Sequence, residues 1–551
     1  MRIHPNKEIK MFVKKTGRFF AVTSMIVCCC CTATVFISYI KRSNIRMLCL
    51  GPFFLAAAIV LYIALKRCEK KLTKKRVRLI FAFFCLILLA LQILFVRYLY
   101  YNYEMVDPKI TGEFAKRFVM GEDLGSIKES YRIYAAKYPN AWGMIYLQIP
   151  FFALWKLFTG GVSIYAGQTF NVILIQLSVI MTFLAGERIF KLNSQRLFCG
   201  IISALMPVML LYTPFFHSDT AGMIFVSCTL YFLTLAVKEK SKTKSVVYAL
   251  IASLFIALGN TVKGSIAVML ISVMIFFVLK MGVKRGAILS LAAVMLFIGV
   301  SKAAYYGGLA MGISDEKMVD RYRFPVTHWI MMSLNSDYKT HVDEDVDFTM
   351  SFDTYDAKKQ ANIREIKARL ENISTPYEAC KMAYHKVSRT WDSGGFSYGK
   401  YLSRSDPSGG LREVLHSRLL GSYVDGYHSA MLIAMAFGAV YAAGKRRHSA
   451  LFFSIVTLTG VILFFLIWEN PPRYIVTFIP VIMLLCTAGT RFITAIISRL
   501  CKRVSASKKD KKRPLMFFHK RSIFLLCNIK IERRVQYITL IAYLNVQVVA
   551  R

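Results

Sequence analysis

Residues 245–305 read SVVYALIASLFIALGNTVKGSIAVMLISVMIFFVLKMGVKRGAILSLAAVMLFIGVSKAAY. Three apolar runs, at 245–262, 264–281 and 286–305, follow one another here with only short polar turns between them. Each run has about 18–20 residues, which is enough to cross a ~30 Å hydrocarbon core at 1.5 Å per residue. This stretch therefore predicts three successive membrane-spanning helices.

The same pattern extends through most of the chain, in which 56% of the 551 residues are hydrophobic. Further apolar runs of spanning length lie at 18–40, 47–65, 79–99, 166–186, 197–213, 220–237, 428–443, 449–467 and 472–492. Helices are favoured because they satisfy every backbone polar group internally, and the alternation expected of barrel strands is missing. The sequence predicts an all-α polytopic membrane protein with about twelve transmembrane helices.

The formal net charge of +41 is concentrated between the predicted spans. The basic clusters lie at 66–78, 238–244, 280–285, 445–447 and 502–513. The positive-inside rule places these segments in the cytoplasm, where anionic lipid of the bilayer attracts them. We therefore expect a multi-pass cell membrane protein that does not bind nucleic acid. The long basic inner loops favour a bacterial plasma membrane.

With the N-terminus inside, the count of spans places two segments on the outer face, 100–165 and 306–427. This parity requires the less regular run at 141–158 to lie at the interface as a juxtamembrane helix. It also places Lys41, Arg42 and Arg46 outside, against the charge trend. The predicted organisation is two extra N-terminal helices and a basic loop (1–78), a transmembrane core (79–305), an extracytoplasmic segment (306–427), C-terminal helices (428–495) and a basic cytoplasmic tail (496–551).

Two acidic residues follow the third predicted span, at the start of the first outer loop. Asp107 and Glu104 lie in YNYEMVDPKI. A carboxylate at this position could act as a general base that takes a proton from an acceptor hydroxyl. The alternative is that Asp107 is a solvated loop residue.

Three further outer loops contribute ionisable residues. His217 and Asp219 lie in PFFHSDT, Lys263 in GNTVKGS and Arg473 in WENPPRYIVTFIP. Lys and Arg at external helix ends could bind the phosphate of a lipid carrier, or could extend toward lipid headgroups. The HSD sequence could be functional, since ionisable groups near the membrane are costly, or could be an ordinary helix N-cap.

A set of spaced motifs in this chain resembles the GT-C superfamily of membrane glycosyltransferases, in particular bacterial relatives of protein mannosyltransferases and aminoarabinose transferases. The resemblance covers roughly residues 79–495 and begins with the external acidic residue Asp107. The other matching stretches are YPNAWGMIYLQIPFFALWKLF (138–158), LAGERIF (184–190), HSDT (217–220), FPVTHWIMMSLN (324–335), TWDSGGF (390–396) and WENPPRYIVTFIP (468–480). The His-Pro-Pro sequence that many relatives carry in the first of these is absent.

The resemblance implies inverting transfer of a sugar from a polyprenyl-phosphate donor to a cell-envelope glycan or protein on the outer face. Asp107 would be the base, with Asp219 as a supporting or metal-linked carboxylate. Lys263 and Arg473 would hold the donor phosphate. No adjacent acidic pair occurs at position 107, so a requirement for a divalent metal ion stays open.

Two aromatic positions in the long outer segment remain open between two roles. His328 and Trp391 either line the acceptor or sugar site or simply pack. A different class of function, a transporter, flippase or polymerase of lipid-linked glycans, would also need many spans and phosphate-binding cations. Such transporters often contain internal repeats, and this sequence has none that we recognise.

Overall fold

Helices make up nearly all of the described chain, in a computed structural model that covers residues 7–101, 107–338, 341–402, 405–407, 417–444 and 450–509. The helices of the apolar body are α1 (Lys7–Lys41), α2 (Ile45–Arg67), α3 (Lys74–Tyr98), α6 (Trp142–Thr159), α7 (Ile164–Ile189), α8 (Asn193–Ala204), α9 (Pro207–Leu211), α10 (Ser218–Lys238), α11 (Lys242–Val262), α12 (Val268–Met281), α13 (Val283–Ala310), α20 (Arg418–Gly444), α21 (Ala450–Phe464) and α22 (Ile479–Lys509). The more polar helices are α4 (Asp107–Met120), α5 (Glu129–Lys137), α14 (Glu316–Tyr322), α15 (Val326–Ser333), α16 (Asp343–Met350), α17 (Tyr355–Glu371), α18 (Pro376–Trp391) and α19 (Tyr398–Leu402). Two short antiparallel strands, β1 (Leu99–Tyr101) and β2 (Ser405–Pro407), join the two outer segments.

Eleven helices in the described ranges are long and apolar enough to cross a membrane: α1, α2, α3, α6, α7, α10, α11, α12, α13, α20 and α22. This confirms the predicted all-α polytopic fold. The difference from the predicted spans lies in three places. The run at 197–213 is divided between α8 and α9, the run at 449–467 forms the shorter helix α21, and residues 139–159 form a helix of spanning length.

The interruption between α8 and α9 occurs at the residue before Pro207, where a helical backbone is disfavoured. The carbonyl groups that the break leaves without a helical partner accept hydrogen bonds from side chains of α20. The Tyr427 hydroxyl donates to the carbonyl of Ile202 over 2.5 Å, and that of Tyr423 donates to the carbonyl of Leu205. A broken helix is therefore tolerated inside an apolar bundle because neighbouring helices satisfy its freed backbone groups.

Replacing Tyr427 by phenylalanine should lower the free energy of unfolding by about 1–3 kcal/mol, because the carbonyl of Ile202 would lose its donor. Thermal unfolding of the detergent-solubilised protein measures this. The matched control is Tyr165→Phe, since that side chain is 43% exposed. Equal melting temperatures for the two variants would contradict the assigned role of the Tyr427 hydroxyl.

Two predicted inner segments meet at one face of the bundle. The Glu69 carboxylate accepts hydrogen bonds from the backbone N–H groups of Asn193 (2.8 Å) and Ser194 (2.9 Å). Arg78 forms a two-point ion pair with Glu187, at 2.8 and 3.2 Å. The basic loop 66–78 is thus joined to the loop that follows α7, as the parity argument requires.

The loop between α1 and α2 lies at the opposite face, beside the long polar segment. Arg42 Nη1 lies 2.5 Å from Asp392 Oδ2, and Arg46 Nε lies 3.4 Å from Asp425 Oδ2. Basic residues on the predicted outer side are therefore neutralised by nearby carboxylates. These ion pairs explain how Arg42 and Arg46 can lie on the predicted outer side, against the positive-inside rule.

Both ends of α6 are tied to the helices of the first outer loop. Trp142 Nε1 donates to the carbonyl of Ala135 (3.0 Å), and Lys156 Nζ donates to the carbonyl of Val119 (3.0 Å). These bonds fit a helix that lies along the outer face. The length of residues 139–159 also allows a span, so the interfacial position stays a prediction.

The final helix packs tightly against α20 through glycines. A Cβ at Gly438 would lie 2.0 Å from the carbonyl oxygen of Leu485, and one at Gly489 would lie 1.8 Å from that of Ala434. Only glycine allows such close contact between two backbones. The position of α22, and of the turn that precedes it, is fixed by this packing.

Candidate functional site

The start of α10 holds a buried carboxylate at the predicted outer face. Asp219 is fully buried, and its Oδ1 lies 2.6 Å from Lys263 Nζ, in the turn that follows α11. The N-cap position of α10 is His217, whose side chain makes no capping bond. The N-cap interpretation of the HSD sequence is therefore wrong for Asp219, which forms an ion pair instead.

Arg473 reaches the same carboxylate from the other side. It lies in a 3₁₀ turn, Pro472–Phe478, just before α22. Its Nε lies 3.5 Å from Asp219 Oδ2. The approach is close because Thr477 Oγ1 donates to the backbone carbonyl of Asp219 (3.1 Å), and a Cβ at Gly222 would lie 2.9 Å from Thr477.

Asp107 joins this group from the first outer loop. Its Oδ2 lies 3.9 Å from Arg473 Nη2, and its side chain is 49% exposed. The Tyr134 hydroxyl also donates to the carboxylate. Burial alone would raise the pKa of Asp107, but Arg473 and, to a smaller extent, His217, the Tyr134 hydrogen bond and Lys263 together hold it below its ordinary value. Asp107 is therefore an ionised carboxylate that solvent can reach.

Aromatic side chains complete the cluster. Lys263 Nζ lies 3.5 Å from the centre of the Tyr474 ring, and the Tyr474 hydroxyl donates to Glu469 (3.0 Å). Arg473 donates to the hydroxyl of Tyr401. Burial lowers the pKa of Lys263, and the paired Asp219 opposes that shift. The ring face and the carboxylate both favour the charged ammonium group.

His217 lies beside the cluster as a neutral ring. It is 1% exposed and packs against Tyr401, with 4.7 Å between the ring centres. Burial and the positive charge of Arg473 lower the pKa of His217 to about 3. Within the described part of the chain, His217 Nε2 has no hydrogen-bond partner. This atom is therefore available to accept a hydrogen bond from a bound molecule.

The arrangement brings two cations and two carboxylates into one connected ion-pair network at the predicted outer face. Arg473 bridges Asp107 and Asp219, and Lys263 neutralises the buried end. Preorganised cations of this kind can stabilise a departing phosphate, and an exposed carboxylate can accept a proton. In the described ranges, no group of three or more His, Cys, Asp or Glu side chains is placed to hold a metal ion.

Comparison with known families gives one match. Residues 149–306 match the model of the dolichyl-phosphate-mannose-protein mannosyltransferase family. These residues are a GT-C family domain. No curated protein matches the chain. The chain is accordingly a multi-pass membrane protein that carries a glycosyltransferase domain, as the motifs predicted.

The GT-C domain contains only part of the ion-pair network. Asp219 and Lys263 lie within residues 149–306, whereas Asp107 precedes them and Arg473 follows. The network is therefore assembled from the domain and from segments on both sides of it.

The remaining predicted site residues lie elsewhere. Glu104 falls outside the described residues. His328 is fully buried, and its Nδ1 lies 2.7 Å from Thr349 Oγ1, so it connects α15 to α16. Trp391 is 1% exposed, and its carbonyl group lies 2.7 Å from His428 Nε2. These contacts fit the packing alternative for both His328 and Trp391.

Replacing His328 by leucine should lower the free energy of unfolding by about 1–3 kcal/mol, since Thr349 loses a hydrogen-bond partner. The turnover of the folded protein should stay within about twofold of wild type if the ring only packs. Thermal unfolding and a sugar-transfer assay measure the two effects. His341→Leu is the control, because that side chain is 51% exposed. A selective rise in the KM of donor or acceptor would instead place His328 in the binding site.

Four residues of the cluster were not predicted from the sequence: Tyr134, Tyr401, Glu469 and Tyr474. Glu469 and Tyr474 stand in the same motif as Arg473, so their proximity to Arg473 in the sequence could have identified them as candidates. Nothing distinguishes Tyr134 or Tyr401 among the 29 tyrosines of the chain. Their contacts depend on segments that only the fold brings together.

Proposed function

We propose that this protein transfers a sugar from a polyprenyl-phosphate donor to an acceptor on the outer face of the membrane, with inversion at the sugar carbon. The observation that carries the proposal is the half-exposed, ionised Asp107 beside Arg473, 3.9 Å away. A base and a phosphate-binding cation are the two groups that such a reaction needs at adjacent positions.

In the proposed reaction, Asp107 accepts the proton of the acceptor hydroxyl as its oxygen attacks the anomeric carbon. The bond between that carbon and the phosphate oxygen breaks, and its electron pair leaves with the polyprenyl phosphate. Arg473 and Lys263 stabilise the negative charge that develops on this phosphate. Attack opposite the leaving group inverts the configuration, because no covalent sugar–enzyme intermediate forms.

Asp219 has a supporting role in this proposal. Its carboxylate is almost fully enclosed and forms ion pairs with Lys263 and Arg473, at 2.6 and 3.5 Å. A buried carboxylate between two cations fixes their positions and keeps them charged. The two cations are then in place before the donor phosphate arrives, and little reorganisation is needed during the reaction.

The orientation of the protein supports a site on the outer side. The basic segment 66–78 lies at the face opposite to the ion-paired loop 41–46 and the acidic residues around Asp392. The positive-inside rule then places the network outside. A bacterial plasma membrane and a cell-envelope glycan or protein acceptor fit this arrangement.

The test is a sugar-transfer assay with purified protein in lipid vesicles and a panel of polyprenyl-phosphate sugars. We expect turnover with one class of donor, and NMR of the product should give the anomeric configuration opposite to that of the donor. Retention of configuration would exclude the single-displacement mechanism. Movement of lipid-linked glycan between leaflets without any transfer would favour the transporter alternative.

A further inference from the structure

The two N-terminal helices lie outside the GT-C domain, yet their connecting loop contacts the segment that leads to the site. Arg42, in this loop, forms its ion pair with Asp392 at the C-terminal end of α18. The Asp392 side chain is 11% exposed, whereas that of Arg42 is 60% exposed. Burial raises the pKa of Asp392 above its ordinary value, and Arg42 acts against this shift.

Arg46, in the first turn of α2, contacts the start of α20. Arg46 pairs with Asp425 and also donates to the carbonyl of Arg418 over 3.4 Å. A Cβ at Gly421 would lie 2.3 Å from Arg46 Nη2, so the guanidinium lies directly on the first turns of α20. The loop therefore contacts the chain on both sides of residues 393–417.

The turn that follows Asp392 is tightly constrained. Phe396 and Ser397 have φ values of 47° and 70°, which non-glycine residues seldom adopt. A Cβ at Gly394 would lie 2.7 Å from the carbonyl oxygen of Val424, and Tyr212 donates to the carbonyl of Phe396. Such a backbone persists only where its surroundings hold it.

This turn leads directly into α19, which carries Tyr401. The Tyr401 hydroxyl accepts from Arg473, and the ring packs against His217. A continuous series of contacts thus runs from Arg42 through Asp392 and the strained turn to the guanidinium of the site. This series links the N-terminal loop to Arg473.

We propose that the Arg42–Asp392 ion pair is a positioning element, through which the N-terminal helix pair holds Tyr401 and hence Arg473 in place for transfer. The assignment rests on the proposed glycosyl transfer and adds a role for helices that lie outside the family domain. Arg42 and Asp392 act through Tyr401 and do not touch the substrate themselves.

The expected effect on turnover is moderate, because Arg42 is largely exposed. Arg42→Gln should reduce kcat by about fivefold, the upper range for a single solvent-accessible ion pair, with little change in the KM of the donor. Arg42→Lys keeps the charge and should restore most of the rate. Lys381→Gln is the matched control, since it removes an exposed cation from α18 itself.

Amide hydrogen exchange over residues 393–401 gives a readout that does not depend on activity. We expect faster exchange there in Arg42→Gln and in Asp392→Asn, and wild-type exchange in Lys381→Gln and Arg42→Lys. Unchanged exchange in both pair variants would overturn the proposal. Faster exchange with a wild-type kcat would overturn the positioning role. If the wild-type protein transfers no sugar, the proposed function fails, while the exchange result still decides whether the ion pair holds the turn.

Discussion

Replacing Asp107 by asparagine should abolish sugar transfer while the protein stays folded. Asparagine has the shape of aspartate but cannot accept the proton of the acceptor hydroxyl, so we expect kcat to fall by roughly 10²–10⁴-fold. Single-turnover measurements with a saturating polyprenyl-phosphate sugar separate this loss from weaker donor binding. The side chain is half-exposed, so little stability should be lost.

The control for this experiment lies on the same helix. Glu113→Gln removes a carboxylate that forms an ion pair with Arg117 at 2.8 Å, one turn along α4. Its transfer rate should match wild type, because Arg117 pairs with Glu113 and Glu122, neither of which belongs to the network. Equal turnover in Asp107→Asn and wild type would remove Asp107 from the mechanism, and loss of turnover in both variants would indicate a general effect of α4.

Replacing Arg473 by glutamine should have the second-largest effect. The variant loses a cation for the leaving phosphate and leaves the buried Asp219 with Lys263 alone. Removing one preorganised charge-stabilising group commonly costs about 10²–10³ in kcat, and we expect a loss in that range. Donor binding should weaken as well, since the phosphate is negatively charged before reaction.

Arg473→Lys should recover only a small part of the activity. Lysine presents a single point of charge, whereas the guanidinium contacts Asp107, Asp219 and Tyr401 at the same time. Arg364→Gln, an exposed arginine on α17, controls for loss of one positive charge at the outer face. Full activity in Arg473→Lys would mean that charge alone matters there, and full activity in Arg473→Gln would exclude the proposed phosphate site.

The membrane body could be predicted from the sequence because apolar runs of sufficient length have few alternative structures. The run at 197–213 misled the prediction, since hydropathy continues through Pro207 although the helix does not. The proline was the available signal, and the residue before it was the place to expect the break. Donors such as Tyr427, which make the break tolerable, lie more than two hundred residues away in the chain.

The charged part of the site was predictable for a different reason. Asp107, Lys263 and Arg473 stand at loops that parity assigns to one face, so ionisable side chains there were candidates for a common cluster. The contacts confirm that they meet with Asp219. His328 was a candidate because it is an aromatic residue of the long outer segment, and its contact with Thr349 fits the packing alternative.

The order in which the helices are synthesised determines the order in which the ion-pair network can form. Asp219 and Lys263 lie at the predicted outer ends of neighbouring helices, α10 and α11, and can pair as soon as these are inserted. Arg473 is made roughly two hundred residues later, since chains form from the N-terminus onward. The nascent protein therefore carries a neutral pair through the membrane rather than two lone charges. In the proposed mechanism, the site is complete only when α22 and the turn before it are in place.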